Sequence, residues 1–233
     1  MELTFATYNI HKAVGLDRRR DPERIIAVLR EIDADIIALQ EADLRFGQRP
    51  SVIPRALLDD TSWVALPVAK RRRSIGWHGN ALLLRRDIDF TLAGALDLPV
   101  LEPRGAVFTE LRLGGRRFQV AGAHLDISGF RRSDQVRAIV AALERNGTTC
   151  PQVVMGDFNH WGRDGGAMRE FGQSWSICAP GPSFPSRRPI ARLDRIIVSS
   201  EWKVIDAAVH HSRQAMQASD HLPVWARLEL PKK

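Results

Sequence analysis

Ten short segments with the composition of β-strands, separated by only two helical patterns, most constrain the fold of this 233-residue chain. Two of them, 106–113 and 117–125, are joined by Gly114-Gly115, a strong hairpin signal. The others are 3–10, 34–41, 62–68, 80–86, 152–155, 193–199, 204–211 and 222–230. Many strands and few helices predict an α/β (α+β) fold in which two sheets pack together with helices outside. We expect a single domain over residues 1–233.

Both helices carry recognisable signals. Asp21 before Pro22 is a favoured helix start. Apolar residues at helical spacing then form one face, namely Ile25, Val28, Leu29 and Ile32. The second helix is predicted by the same spacing in Val136, Ile139, Val140 and Leu143, and Asn146-Gly147 is expected to end it.

The net charge of +7 is carried largely by short arginine-rich clusters, at 18–20, 70–73, 131–132 and 187–188. Such a surface attracts polyanions, so nucleic acid and an anionic lipid surface are the expected partners. The alternative interpretation is a solvated surface typical of an arginine-rich proteome.

The two cysteines, Cys150 and Cys178, have neither zinc spacing nor disulfide density, which fits a reducing compartment. No signal peptide is visible at the N-terminus, and no stretch reaches the about 20 apolar residues of a spanning helix. We therefore expect a cytoplasmic protein whose membrane contact, if it has one, is peripheral at the inner surface. A monomer is the expected state.

Polar side chains lie at the ends of one predicted strand after another. Taken alone, each has an ordinary explanation as a turn residue, a helix cap or a structural histidine. Their repetition is more informative, because rigid strands hold side chains in place while loops shape a cleft. These residues are Asn9 and His11, Glu41, His124 and Asp126, Asp157 and Asn159, Asp194, and Ser219 to His221.

Six motifs in order across nearly the whole chain resemble the endonuclease/exonuclease/phosphatase superfamily, which includes deoxyribonuclease I, AP endonucleases and neutral sphingomyelinases. They are TYNIH (7–11), LQE (39–41), HLD (124–126), GDFN (156–159), LDRI (193–196) and SDH (219–221). The resemblance implies a deoxyribonuclease I-like four-layer sandwich of two mixed sheets flanked by helices. It also implies a divalent-metal phosphoesterase site, and oxygen ligands favour Mg²⁺ or Mn²⁺.

The resemblance also assigns roles to individual residues. Glu41 matches the principal metal ligand, with Asn9 and Asp220 as further members of the metal site. The catalytic residues implied are as follows: Asp157 to orient or deprotonate the attacking water, Asn159 and His124 to contact the phosphate, and His221 at the scissile phosphate, held by Asp194. Because the AP endonucleases lack a histidine at position 124, its presence argues against abasic-site repair.

Three further residues are substrate-binding candidates. Arg104 is a candidate phosphate clamp, with a solvated loop position as the alternative. His78 and Asn80 lie in GWHGNALLLR, which resembles a segment of bacterial superfamily members, although a turn before a strand explains Gly79-Asn80 equally well. Separately from these three, the loop positions of Trp77 and Trp161 make both candidates for stacking on a base or sugar.

The favoured hypothesis is a metal-dependent phosphodiester hydrolase, either a nuclease or a related phosphodiesterase. The alternative is a phospholipid head-group phosphodiesterase or phosphatase at a membrane surface, although no apolar insertion beyond the core is visible. A third hypothesis, from another class, is a polyanion-binding module that has lost catalysis.

Overall fold

Two mixed six-stranded sheets form the centre of the computed structural model, which describes residues 2–99, 104–145, 150–162 and 164–229. In the first sheet β1 and β2 are parallel and the other neighbours antiparallel. Its strands, in spatial order, are β11 (Lys203–Val209), β12 (Val224–Glu229), β1 (Glu2–Asn9), β2 (Ile36–Gln40), β4 (Ala81–Arg85) and β3 (Trp63–Ala65).

The second sheet repeats this mixed arrangement, with β7 and β8 as its parallel pair. Gly114 and Gly115 both have positive φ, as a tight turn between β6 and β7 requires, so the predicted hairpin is confirmed. In spatial order its strands are β5 (Asp89–Leu96), β6 (Gly105–Leu113), β7 (Arg116–His124), β8 (Gln152–Asp157), β10 (Asp194–Ser199) and β9 (Trp175–Cys178).

Apolar side chains fill three layers. Between the sheets, Phe5 packs edge-on against Phe118 and Trp202. Helix α1 (Pro22–Ile32) covers the outer face of the first sheet, and α3 (Gly129–Glu144) with the 3₁₀ turn Gly166–Phe171 covers that of the second. The predicted four-layer fold is therefore confirmed.

The helix signals have the expected effect. Asp21 accepts hydrogen bonds from the backbone N–H groups of Glu23 and Arg24, which would otherwise lack partners. The predicted end of α3 at Asn146-Gly147 lies outside the described residues. No helix in the described ranges is long and apolar enough to cross a bilayer.

Some elements differ from the sequence prediction. The strand predicted over 62–68 is wrong beyond Ala65, because Pro67 has no N–H to continue the ladder. The structure adds two strands, β5 and β9, and two short helices, α2 (Arg55–Asp59) and α4 (Arg213–Ala218). β5 and β9 are the edge strands of the second sheet, and each pairs with a single neighbouring strand.

Candidate active site

Strand pairing places the polar strand ends at one edge of both sheets, which we call the catalytic end. Asp157, the last residue of β8, lies opposite His124 of β7 on one side and Asp194 of β10 on the other. In the first sheet Asn9 pairs with Gln40, so Glu41 follows β2 at the corresponding edge. The strand order thus brings together residues that are far apart in the chain.

Asp157 is the point at which the two sheets meet. Its Oδ2 accepts a hydrogen bond from Asn9 Nδ2 at 3.0 Å, and lies 3.3 Å from His124 Nε2 and 3.8 Å from His221 Nε2. Burial alone would raise the pKa of this carboxyl, but the two imidazoles and the Asn159 N–H hold the pKa far below its usual range. Asp157 is therefore a fixed anion, able to orient a water molecule.

His221 is held from behind by Asp194. Its Nδ1 lies 2.8 Å from Asp194 Oδ2, which also accepts the Ser183 hydroxyl at 2.6 Å. Burial would lower the pKa of His221, but the Asp194 and Asp157 carboxylates outweigh it and raise the pKa to about 10. Burial in turn raises the pKa of Asp194. We call Asp157, Ser183, Asp194 and His221 the Asp194 cluster.

Three members of this cluster also have the spacing of a metal site, since ligand atoms of Asp157, Asp194 and His221 lie within 4.8 Å of one another. His221 Nδ1 is committed to Asp194, and Asp194 Oδ2 is shared between that ring and the Ser183 hydroxyl, so these atoms are already engaged in hydrogen bonds. Such a hydrogen-bonded arrangement is also suited to hold and direct protons.

Glu41 faces a small polar cavity of about 50 Å³, which we call the Glu41 hollow. Lys12 Nζ contacts Glu41 Oε2, and Glu41 has a positive φ of 56°, uncommon for this residue type. Burial would raise the pKa of Glu41, but His124 and Lys12 lower it below the usual value. The hollow is lined by Lys12, Glu41, Asp43, Leu44, Arg45, Arg49, His78, Gly79, Arg104 and His124. Its excess of basic groups suits an anionic ligand.

Asn159 and Asp220 flank these groups. Asn159 Nδ2 donates to the Leu125 carbonyl at 2.9 Å, which leaves its second N–H for a ligand. Asp220 Oδ1 lies 3.8 Å from His11 Nδ1, and its side chain is one-third exposed (33%).

The three substrate-binding candidates occupy different places. Arg104 contacts the His124 ring, and His78 Nδ1 lies 2.6 Å from Arg49 Nη1; both candidates line the Glu41 hollow. Asn80 is fully buried and does not line it. Its Nδ2 donates to the Gly105 carbonyl at 2.9 Å, which holds the start of β4 against that of β6.

Sequence reasoning missed Lys12, Ser183 and Arg49. Lys12 directly follows the TYNIH motif, so its proximity to the site was readable from the sequence. Ser183 lies in a proline-rich segment 11 residues before Asp194, where nothing distinguishes it from other serines. Arg49 is one of many loop arginines.

This fold and this edge define a class: a sandwich of two mixed sheets that collects carboxylate, amide and histidine side chains at one end. A family model described as the Endonuclease/Exonuclease/phosphatase family matches residues 6–221, and the chain belongs to that family. Enzymes of this family hydrolyse phosphoester bonds and are generally dependent on a divalent metal.

Individual relatives cover nearly the whole chain. YbhP, an uncharacterized protein of Escherichia coli K12, is 29% identical over 250 residues, covering 96% of this chain and 95% of YbhP. An endonuclease/exonuclease/phosphatase from Bacteroides vulgatus shares the fold with a TM-score of 0.78 at 17% identity, covering 99% of each chain. The mannosyl-6-phosphatase of Bacteroides thetaiotaomicron has a TM-score of 0.75 at 20% identity, covering 98% of this chain and 100% of that one.

Proposed function

We propose that the protein is a phosphodiester hydrolase dependent on Mg²⁺ or Mn²⁺, a nuclease or a related phosphodiesterase. The observation that carries the proposal is the setting of Asp157 Oδ2, which has the Asn9 amide and the His124 and His221 rings within 3.8 Å. A buried anion surrounded by donors, one of which (His124) lines the Glu41 hollow, is arranged to position water against a phosphoryl group.

The residues present fit a divalent cation. Glu41, Asn9 and Asp220 offer carboxylate and amide oxygens, the donor type that Mg²⁺ and Mn²⁺ prefer. Glu41 already faces a cationic group, the Lys12 ammonium, so positive charge is stabilised at this point. These three residues would hold the ion, which when bound would polarise a phosphoryl oxygen as a Lewis acid.

The Asp194 cluster would orient the attacking water and hold the proton on His221. Asp157 Oδ2 and His221 Nε2 are separated by 3.8 Å, longer than a hydrogen bond, so each can contact a third atom between them. In this proposal Asp157 orients the attacking water, and the positive His221 ring contacts the scissile phosphate. Asp194 keeps that ring charged and correctly turned.

Other donors would neutralise the growing charge on the phosphoryl oxygens. The second N–H of Asn159, the His124 ring and the Arg104 guanidinium lie around the same edge and can each donate. His78 would contact a more distant part of the substrate from the far side of the Glu41 hollow.

The test is hydrolysis of bis-p-nitrophenyl phosphate and of p-nitrophenyl phosphate, each with Mg²⁺, with Mn²⁺ and with EDTA. We expect diester turnover with either metal, loss with EDTA, and loss in Asp157→Asn. Asp134→Asn, which removes an exposed carboxylate on α3, should leave turnover unchanged.

A wild type inert on both esters would contradict the proposal and support the polyanion-binding module instead. Turnover of the monoester alone would identify a phosphatase and overturn the diester assignment. The cytoplasmic location, monomeric state and single domain expected from the sequence stay predictions.

A further inference from the structure

The most exposed large apolar side chains share one end of the molecule. Among the described residues, five such side chains have exposures between 64% and 91%, whereas every other large apolar residue is at 44% or below. The five are Phe46, Ile127, Phe130, Trp161 and Ile190. Isolated exposed apolar residues are common, but a concentration of them at one end marks a contact surface.

Each of the five lies next to a strand end that bears a site residue. Phe46 follows β2 and Glu41, and Trp161 follows β8 and Asp157. Ile127 and Phe130 follow β7, which ends at His124, and Ile190 precedes β10, which begins at Asp194. Parallel and antiparallel pairing place all of these strand ends at the catalytic end.

Exposed arginines lie near two of these apolar residues, Ile190 and Phe46. Arg187 and Arg188 are exposed three and two residues before Ile190. Arg71 Nη1 donates to the Gly47 carbonyl at 2.8 Å, which fixes it beside Phe46. Arg71, Arg72 and Arg73 line an open cleft of about 930 Å³ together with Gln48 and Arg55. Within the described ranges, neither Arg72 nor Arg73 forms an ion pair with a carboxylate, so the surface presents net positive charge.

We propose that the catalytic end docks on an anionic lipid bilayer and that the substrate is a phospholipid head-group phosphodiester. The apolar side chains would enter the interface between head groups and acyl chains, and the arginines would contact lipid phosphates. The substrate assignment rests on the proposed function; the docking surface does not.

A lipid surface explains this combination better than a nucleic acid does. Aromatic rings such as Phe46, Phe130 and Trp161 can stack on bases. The aliphatic side chains of Ile127 and Ile190 cannot stack on bases, but their transfer from water into the apolar part of a bilayer lowers the free energy. The proposed contact is made by single side chains near different strand ends, so it does not require a long apolar insertion.

The test is sedimentation with vesicles of phosphatidylcholine alone and of phosphatidylcholine mixed with phosphatidylglycerol. We expect binding to the anionic vesicles, and a loss of about tenfold in partition for Phe130→Ser and for Ile190→Ser. Phe90→Ser and Val204→Ser are matched controls, because both side chains are exposed on edge strands away from the catalytic end. The controls should bind like the wild type.

Two parallel measurements separate this proposal from its rivals. Turnover of bis-p-nitrophenyl phosphate should be unchanged in Phe130→Ser and Ile190→Ser, which shows that the variants fold and that docking is distinct from chemistry. Loss of single-stranded DNA binding in Phe130→Ser but not in Ile190→Ser, without vesicle binding by the wild type, would identify a nuclease and overturn the proposal. A wild type that hydrolyses the soluble diester but does not bind the anionic vesicles would overturn the docking surface. A wild type that binds the vesicles but does not hydrolyse the phosphodiester would overturn only the substrate assignment.

Discussion

The Asp194 cluster and the Glu41 hollow are neighbouring regions of the catalytic end, since His124 lines the hollow and lies 3.3 Å from Asp157 of the cluster, but they are built differently. In the cluster, Asp194 is fully buried and its Oδ2 has two hydrogen-bond partners. In the hollow, the Glu41 and Lys12 side chains remain 22% and 30% exposed, and Glu41 is paired with a flexible ammonium. The hydrogen bonds of the cluster are already formed in this structure, whereas in the proposed function Lys12 would have to leave Glu41 for a cation to bind there. The cluster therefore has a fixed hydrogen-bonded geometry, whereas the hollow is more exposed and can accommodate a charged ligand.

The largest effect should come from Asp157, the member of the cluster that lies 3.3 Å from His124 of the hollow. Asp157→Asn removes the anion between the two imidazoles, so turnover of a soluble diester should fall about 10³-fold or more, as expected for a group acting in the transition state. Steady-state kinetics with Asp134→Asn as control measure it. A loss below tenfold would contradict a role for Asp157 in the chemical step.

Glu41→Gln should separate metal binding from proton handling. The neutral amide is a weaker ligand, so the Mg²⁺ concentration for half-maximal activity should rise roughly 10- to 100-fold, with much of the turnover recovered at saturating Mg²⁺. A Mg²⁺ titration measures this, with the exposed Glu144→Gln as control. An unchanged midpoint would assign the metal elsewhere.

Ser183→Ala tests whether the cluster depends on its buried support. Removing the hydroxyl leaves Asp194 short of one donor, so stability should fall by about 1–3 kcal/mol. Because Ser183 acts through Asp194 and His221, kcat should fall about tenfold while KM stays unchanged. Ser186→Ala in the same segment removes a buried hydroxyl that bonds the Ser219 carbonyl, and should reduce stability but not kcat. If Ser183→Ala and Ser186→Ala have the same kcat, the role of Ser183 is structural only.

Lys12→Met should have the smallest effect, opposite in sign to that of Glu41→Gln. Since Lys12 competes with a cation for Glu41, its removal should lower the Mg²⁺ midpoint by up to about fivefold, or 1 kcal/mol, as for a partly exposed ion pair. Lys203→Met, which breaks a surface pair with Glu229, is the control. A raised KM for the diester with an unchanged midpoint would instead show that Lys12 contacts the substrate.

Local patterns were enough for much of the fold. Gly114-Gly115 predicted the hairpin, and Asp21-Pro22 the start of α1, because turn and cap chemistry act between near neighbours. β5 and β9 were missed since each is recognisable only from the strand beside it. The six motifs were likewise visible in the sequence, and the structure brings Asn9, Glu41, His124, Asp157, Asp194 and His221 to one edge.

The sequence by itself determined which strands end on side chains that can bind a metal ion or a phosphate, because the type and the position of each residue are given by the sequence. Only the tertiary structure decided that Asp157 lies between His124 and Asp194, because that neighbourhood depends on the strand order β7, β8, β10. The same holds for the Lys12–Glu41 pair, the Ser183 support and the exposure of Phe130 and Ile190. A side chain's partners and its access to solvent are set by residues distant in sequence, and these become neighbours only on folding.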